Sequence, residues 1–465
     1  MDYDYRRGFV TYPDAEPGSP GEKAPYIDHG TERVDPKRFY SREEADLEWD
    51  NMLTKSWLFV GISHDVPEIG DWFKADYGRE SFIIVRNGAG DDGIAAYFNV
   101  CPHRGNRIVH SDFGSVGGTG EGSCIFTCDF HGWKFGLDGK NVEIRDEMIF
   151  RKEAIAHRPG LKPVRCSVWN GLVFINMAPE GKSLLEHLDV IPAHLAPYPF
   201  EKYKVIRDIE TCWDANWKTA LDAFIEFYHA DDVHPQVAPF TETLGCQYDL
   251  YANGNSRMII PIGSVPVRFE DRETVPEGMK AFLQFYGGNP DDFVHLKGHE
   301  YNKAFAATRR NWAKRHGYDH FESLTDDQVN DDWNYFIFPN VTINAFSDSL
   351  LLQIFRPHET DPRKSYYRAI SLCLPVGGSQ DMVMDPGQFG PEAVSPPGWD
   401  GSVRPEKIAP QTLEEFGSVL AQDAVRVPEV QRGIESMAFE GYVLSESENR
   451  IRHYLAELDR LIGRG

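Results

Sequence analysis

Positive charge is scarce in this chain. Across 465 residues, 48 Lys and Arg stand against 72 Asp and Glu, a formal net charge of −24. Nucleic-acid affinity comes largely from cations that neutralise phosphates, so no global field for such a partner exists, and acidic lipid surfaces are disfavoured on the same ground. Long apolar runs are missing too. The longest, 168–177 and 349–355, fall far short of the ~20 residues that cross a bilayer, so no membrane segment is expected. The first residues, MDYDYRRGFV, hold no apolar core of ~7–15 residues before a small-residue cleavage site, which points to the cytoplasm. Seven cysteines (101, 124, 128, 166, 212, 246 and 373) are odd in number and widely spread. They make a poor disulfide framework and fit a reducing compartment with some thiols on metal.

What is present is a globular composition, 41% hydrophobic and 26% charged, in a chain long enough for two or three domains. Residues 1–40 are rich in Pro, Gly, Asp and Tyr without a period and read as an extended arm. Ser41–Thr54 carries a helix start, with Ser41 as N-cap and Glu44 completing a capping box. From Trp57 to Met177 the pattern becomes short β-rich runs (WLFVGI, SFIIVRN, IAAYFNV, CIFTCDF, LVFINM), so residues 41–177 are expected to form a small, mainly β domain. Residues 178–465 read as an α+β domain with the arm lying against it. Its expected elements are strands at 204–212, 353–355 and 365–374, a buried helix at 216–230, and helices at 413–427 and 446–462 after a Pro/Gly-rich loop.

Two short motifs in the β domain each pair a cysteine with a histidine: Cys101-Pro-His103-Arg-Gly and Cys128-Asp-Phe-His131-Gly-Trp. Two thiolates and two imidazoles suit tetrahedral zinc, and equally a [2Fe–2S] cluster with histidines on one iron. Cys124, four residues before Cys128, shares its face if CIFTC is one strand, and reads as a small buried hydrophobe. The glycine-rich GGTGEG at 117–122 lacks the Lys-Ser/Thr of a phosphate loop and reads as a plain loop.

A second constellation lies in NWKTALDAFIEFYHADDVHP. Helical spacing would put Glu226 and His229 on one face, with His234 at the helix end. Two histidines and one carboxylate form the facial triad of non-haem Fe(II) oxygenases, with positions left open for O2 and substrate. Two histidines alone are also common as a surface pair near a helix end.

CPHRG with CDFHGWKF resembles the Rieske signature, and Asn216-Trp217-Lys218, Glu226, Tyr228, His229 and His234 resemble the catalytic motif of Rieske-type aromatic-ring-hydroxylating oxygenase large subunits. The segment between His103 and Cys128 is longer than that family usually has, with the excess in GSVGGTGEGS, where a surface insertion would be harmless. The resemblance implies an all-β Rieske domain followed by an α+β helix-grip (START-like) domain with an antiparallel sheet. It further implies Cys101, His103, Cys128 and His131 as ligands of a [2Fe–2S] cluster, and His229 and His234 as ligands of a mononuclear Fe(II). Asp423, in AQDAVRVPEVQRGIES, is the expected third ligand, ahead of Asp381, Asp385 and Asp400.

Glu226 is implied as the carboxylate linking the two centres, through His103 or His131 of a neighbour in a cyclic trimer, so Glu226→Gln should disrupt electron delivery with both metals bound. The implied activity is that of a terminal oxygenase using O2. No dinucleotide, flavin or ferredoxin fingerprint is present, so electrons from NAD(P)H would come through a separate ferredoxin or flavin reductase. Asp222, Ala223, Phe224 and Phe227 are expected to line the pocket, with Asp222 its acid. That mixture fits an aromatic or polycyclic substrate best, with di- or mono-oxygenation both open. The family's oxidative demethylases and monooxygenases of alkylammonium or methoxy compounds are the alternative, and a Rieske electron-transfer protein is the rival from another class.

Overall fold

The β-rich runs of the first half do become strands. In the computed structural model, which describes residues 15–118, 123–238, 241–262, 277–294, 296, 298–375, 383–386, 394–396 and 398–464, the chain divides into two units. The smaller is Trp49–His187 with His358–Thr360. The larger takes the described residues up to Glu48, then Leu188–Pro357 and Asp361 onward. The division differs from the expected 41–177 and 178–465: residues 41–48 go with the larger unit, and the smaller one runs on to His187.

The smaller unit is all-β at its centre. Its strands are β1 (Leu58–Ile62), β2 (Asp71–Tyr77), β3 (Glu80–Arg86), β4 (Ile94–Phe98), β5 (Phe113–Ser115), β6 (Ile125–Thr127), β7 (Lys134–Gly136), β8 (Asn141–Glu143), β9 (Pro163–Trp169) and β10 (Leu172–Asn176). Seven of them form a sheet ordered β1-β10-β9-β4-β3-β2-β5, and β6-β7-β8 form a separate three-stranded sheet. The segment expected as a harmless insertion is partly built in, because β5 pairs with β2 and Val116 donates to the Gly70 carbonyl at 2.9 Å. Of GGTGEG, residues 119–122 lie outside the described residues.

The larger unit is an antiparallel sheet with helices. Its strands are β11 (Lys204–Trp213), β12 (Gln247–Leu250), β13 (Ser256–Ile260), β14 (Asp332–Ile337), β15 (Val341–Ala345), β16 (Ser349–Pro357) and β17 (Ser365–Cys373), in the order β11-β17-β16-β15-β14-β13-β12. Sequence alternation did not flag β12–β15. Every residue of β13, β14 and β15 is buried, so both faces are covered, and the buried positions include Asp332, Asn334, Thr342 and Asn344. No polar, solvated face exists to set the period of two.

The arm packs within this unit. Arg257 donates to the Glu22 carbonyl at 3.1 Å, and the Ala24 amide to Asp249 Oδ1 at 2.8 Å. The expected helix 413–427 is two helices, Leu413–Phe416 and Leu420–Ile434, because the chain passes through Gly417 at φ +84°. No helix among the described residues is long and apolar enough to cross a membrane.

Candidate metal centres

The two Cys-His motifs form matching loops. Gly105 donates to the Cys101 carbonyl and Gly132 to the Cys128 carbonyl, each at 2.9 Å, and both glycines sit at positive φ, +81° and +71°. Each loop therefore turns back on its cysteine four residues later, through a conformation that a Cβ disfavours. Cys101 and Cys128 lie in one hydrophobic cluster with Trp133 and Phe135, only 2% and 1% exposed. Burial, reinforced by the Cys128 thiol against backbone hydrogen bonds from His103 and Arg104, pushes the Cys101 thiol up to about 11.

The histidines occupy the outer end. The His103 and His131 rings meet at 4.5 Å, and His103 stacks on Trp133 at 4.8 Å. Burial, then the neighbouring His131 and Arg104, hold His103 below its ordinary value, and its Nδ1 is buried without a hydrogen-bond partner. Two buried thiols beside two half-exposed imidazoles, one with an orphaned nitrogen, fit a [2Fe–2S] cluster that would take sulfur ligands on one iron and nitrogen ligands on the other. Asn106, which sequence reading overlooked, donates to Cys128 Sγ at 3.7 Å. Cys124 departs from expectation: it precedes β6 at φ +58° and is partly exposed, so it is neither in a strand nor a core residue.

The second centre is built on a broken helix. The expected helix 216–230 ends at Asp222, and a short turn of helix resumes only at Ala230–Val233. Glu226 is the physical reason: its Oε2 accepts from the backbone amides of Tyr228 and His229, giving this stretch a local alternative to helical bonding. The Asn-Trp-Lys segment anchors the helix start. Asn216 caps it through the Lys218 amide, and Trp217 and Lys218 both bond the buried Glu48.

Convergence follows from that turn. His229 Nε2 and His234 Nε2 lie 3.2 Å apart, and Asp423 Oδ1, from the helix Leu420–Ile434, lies 3.4 Å from His234 Nε2 and 3.7 Å from His229 Nε2. The ligand atoms of all three lie within 4.8 Å of one another. The outer nitrogens are both held: His229 Nδ1 by Glu226 Oε1, and His234 Nδ1 by Gln422 Oε1 at 2.8 Å. A carbonyl oxygen only accepts, so His234 carries its proton on Nδ1 and turns the Nε2 lone pair toward the centre. Burial disfavours a charged His229 ring, but Glu226 and Asp423 outweigh it and lift the metal-free ring to about 9. Two imidazoles and one carboxylate on one side of a cavity fit a divalent iron.

Ala223, Phe224 and Phe227, three of the four residues expected in the pocket, line that cavity with the three donors, and Glu226 lines it as well. Asp222 does not. The chain turns after it, and its Oδ1 accepts from Tyr454 on the helix Asn449–Ile462 at 2.7 Å. Tyr228 is 59% exposed. Among the alternative carboxylates, Asp385 pairs with Arg207 at 3.5 Å and Asp400 is exposed, while Asp381 lies outside the described residues. Gln422 had a signal, the Gln-Asp pair, but no role was read from it. Gln431 on the same helix accepts from the Asn216 amide and the Thr219 hydroxyl, tying the Asp423 helix to the one that leads into Glu226.

Residues 56–149 match the Rieske [2Fe–2S] domain, and residues 200–464, more than half the chain, match the catalytic domain of the ring-hydroxylating alpha subunit. The chain belongs to that family, with its Rieske domain ahead of the catalytic one. Membership sets aside the zinc reading of the Cys-His loops and the single-site electron carrier. Among its relatives, the carnitine monooxygenase oxygenase subunit of Escherichia coli (strain K12) is 32% identical over 204 residues, 43% of this chain and 52% of that protein. The glycine betaine monooxygenase oxygenase subunit of Chromohalobacter salexigens is 31% identical over 204 residues, 43% of each. The chain thus matches about half the length of these curated relatives. A crystal structure of a quaternary ammonium Rieske monooxygenase in complex with L-carnitine shares the fold, with a TM-score of 0.61 at 16% identity, over 92% of this chain and 96% of that one.

Proposed function

We propose that this chain is the terminal oxygenase of a multicomponent system that hydroxylates a quaternary alkylammonium compound at the carbon next to nitrogen. The observation that carries the oxygenase reading is the convergence of His229, His234 and Asp423 on the wall of a largely apolar cavity. Iron bound there supplies O2 activation, and a [2Fe–2S] cluster supplies one-electron storage. The protein's own part is orientation and exclusion. Glu226 and Gln422 fix the two imidazoles, while Phe224, Phe227, Met258 and Ile260 keep the cavity apolar.

The overall reaction takes one substrate, O2, two electrons and two protons to the carbinol and water. A carbinol beside a quaternary nitrogen then loses a proton and breaks its C–N bond, giving a tertiary amine and an aldehyde. The substrate class rests on the carnitine and glycine betaine relatives, which favour it over the aromatic or polycyclic substrate expected from the pocket residues. The electrons come from NAD(P)H through a separate reductase, and a homotrimer is the assembly in which this reading places Glu226 between centres. The test is O2 uptake by iron-loaded protein with a surrogate reductase, on glycine betaine, L-carnitine, naphthalene and biphenyl. Aldehyde and tertiary amine in equal amounts from an ammonium compound is the expected result. A diol or phenol from an arene, with no turnover of either ammonium compound, would overturn the substrate class.

A further inference from the structure

The cavity beside the mononuclear donors holds a carboxylate that the metal chemistry does not use. Strand register puts it there: Ile260 pairs with Asp332, and the adjacent row runs Met258, Asn334, Asn344, Leu351 across four strands. Alternation turns these side chains to one face of the sheet, and all six line the cavity.

Asp332 ends a one-way chain of hydrogen bonds. Tyr367 donates from its hydroxyl to Gln353 Oε1 at 2.8 Å, Gln353 Nε2 to Asn344 Oδ1 at 3.1 Å, and Asn344 Nδ2 to Asp332 Oδ2 at 2.8 Å. Each amide accepts on its oxygen from behind, so its nitrogen points forward and the chain has a fixed polarity ending on the carboxylate. Asp332 Oδ1 has no hydrogen-bond partner, although the residue is only 2% exposed. The nearby Arg450 guanidinium is committed elsewhere, to Asn334 Oδ1 at 2.8 Å and Ser256 Oγ at 2.9 Å. Burial lifts the Asp332 carboxyl to about 7, against the Asn344 hydrogen bond.

An orphaned carboxylate oxygen on the wall of a cavity calls for a ligand that completes it. The other walls narrow the choice. Phe224 and Phe227 present aromatic rings, and Val237, Met258, Ile260, Ile262, Leu351 and Leu420 add an aliphatic wall beside the amides of Asn334, Asn344 and Gln353. A quaternary ammonium carries no N–H and matches this surface, taking charge from a carboxylate and from ring faces while its methyl groups meet the aliphatic wall.

We propose that Asp332 is the substrate anchor that selects a cationic alkylammonium over a neutral molecule of the same shape. The inference rests on the alkylammonium reading and adds to it the residue that enforces it. Asp332→Asn is the informative change, because its amide oxygen still accepts from Asn344 while the charge is lost. Anaerobic calorimetry on the iron-loaded protein would compare choline with 3,3-dimethylbutan-1-ol, its uncharged carbon isostere. Wild type is expected to prefer choline by ~10-fold or more, and Asp332→Asn to bring the two close to parity with the neutral alcohol's affinity unchanged. Asp332→Glu, which keeps the charge, should retain a preference for choline. If Asp332→Asn keeps the wild-type ratio, or weakens both ligands equally, the anchor is wrong while the alkylammonium reading stands. A wild type that binds both equally would sink both.

Discussion

The two donor sets of this protein differ in how far apart their parts lie along the chain. In the Rieske unit, each loop carries its own cysteine, histidine and turn glycine within five residues, and backbone hydrogen bonds inside the loop set the geometry. In the catalytic unit, two histidines come from a broken helix and the carboxylate from a helix near the other end of the chain. The first centre is locally encoded. The second exists only if the sheet and two helices assemble, so its stability and that of its unit are the same quantity.

That contrast can be tested most strongly by removing the long-range ligand. Asp423→Ala should abolish oxygenation and lower iron by about one per chain, leaving the Rieske signal intact in the reduced EPR spectrum. Loss of the cluster signal as well would mean the two centres are not independently built. A scaffold change should act on one unit only. Glu48 and Lys218 are buried partners, so Glu48→Ala strands a buried cation and should destabilise the catalytic unit by ~3–5 kcal/mol in denaturant titration, with the cluster absorbance retained at low denaturant.

Smaller effects sharpen the same contrast. Gln422→Leu removes the group that fixes the His234 tautomer without removing a ligand, and Fe(II) affinity measured by chelator competition should fall ~10–100-fold. An unchanged affinity would show that Gln422 does not orient the ring. The gentlest probe is Asp222, whose carboxyl burial raises from 3.8 to about 8 despite the Tyr454 hydroxyl and Lys218. The folded chain then holds a proton that the unfolded chain has lost, so this contribution to stability is full below pH about 4 and disappears as pH rises to about 8. Asp222→Asn should therefore gain stability relative to wild type across that window and remain parallel to it above. A difference in melting temperature independent of pH would refute the assignment.

The errors of sequence reading fall where this contrast predicts. Cys101, His103, Cys128 and His131 were legible because the chemistry and the turn share one short stretch. His229 and His234 were legible as a pair, yet the helix expected to present them is broken, because Glu226 spends a carboxylate oxygen on the local backbone. Asp222 was misplaced for that reason: on an unbroken helix it would sit near the cavity, and the turn sends it to Tyr454 instead. Strands β13–β15 were invisible because burial on both faces erases alternation, and with them went Asp332 and its amide chain.

What is short-range was legible in the sequence: the two Cys-His loops, the histidine pair, a charge balance that disfavours polyanions, and the order of a β domain before an α+β one. Tertiary structure alone decided which carboxylate joins the histidines, which glutamine holds one of them, and which strand residues wall the cavity. The physical reason is range. Turn glycines and side chains that bond their own backbone act over a few residues, whereas a cavity is a property of sheet register, where one residue of slip would turn Asp332 and Asn334 to the opposite face.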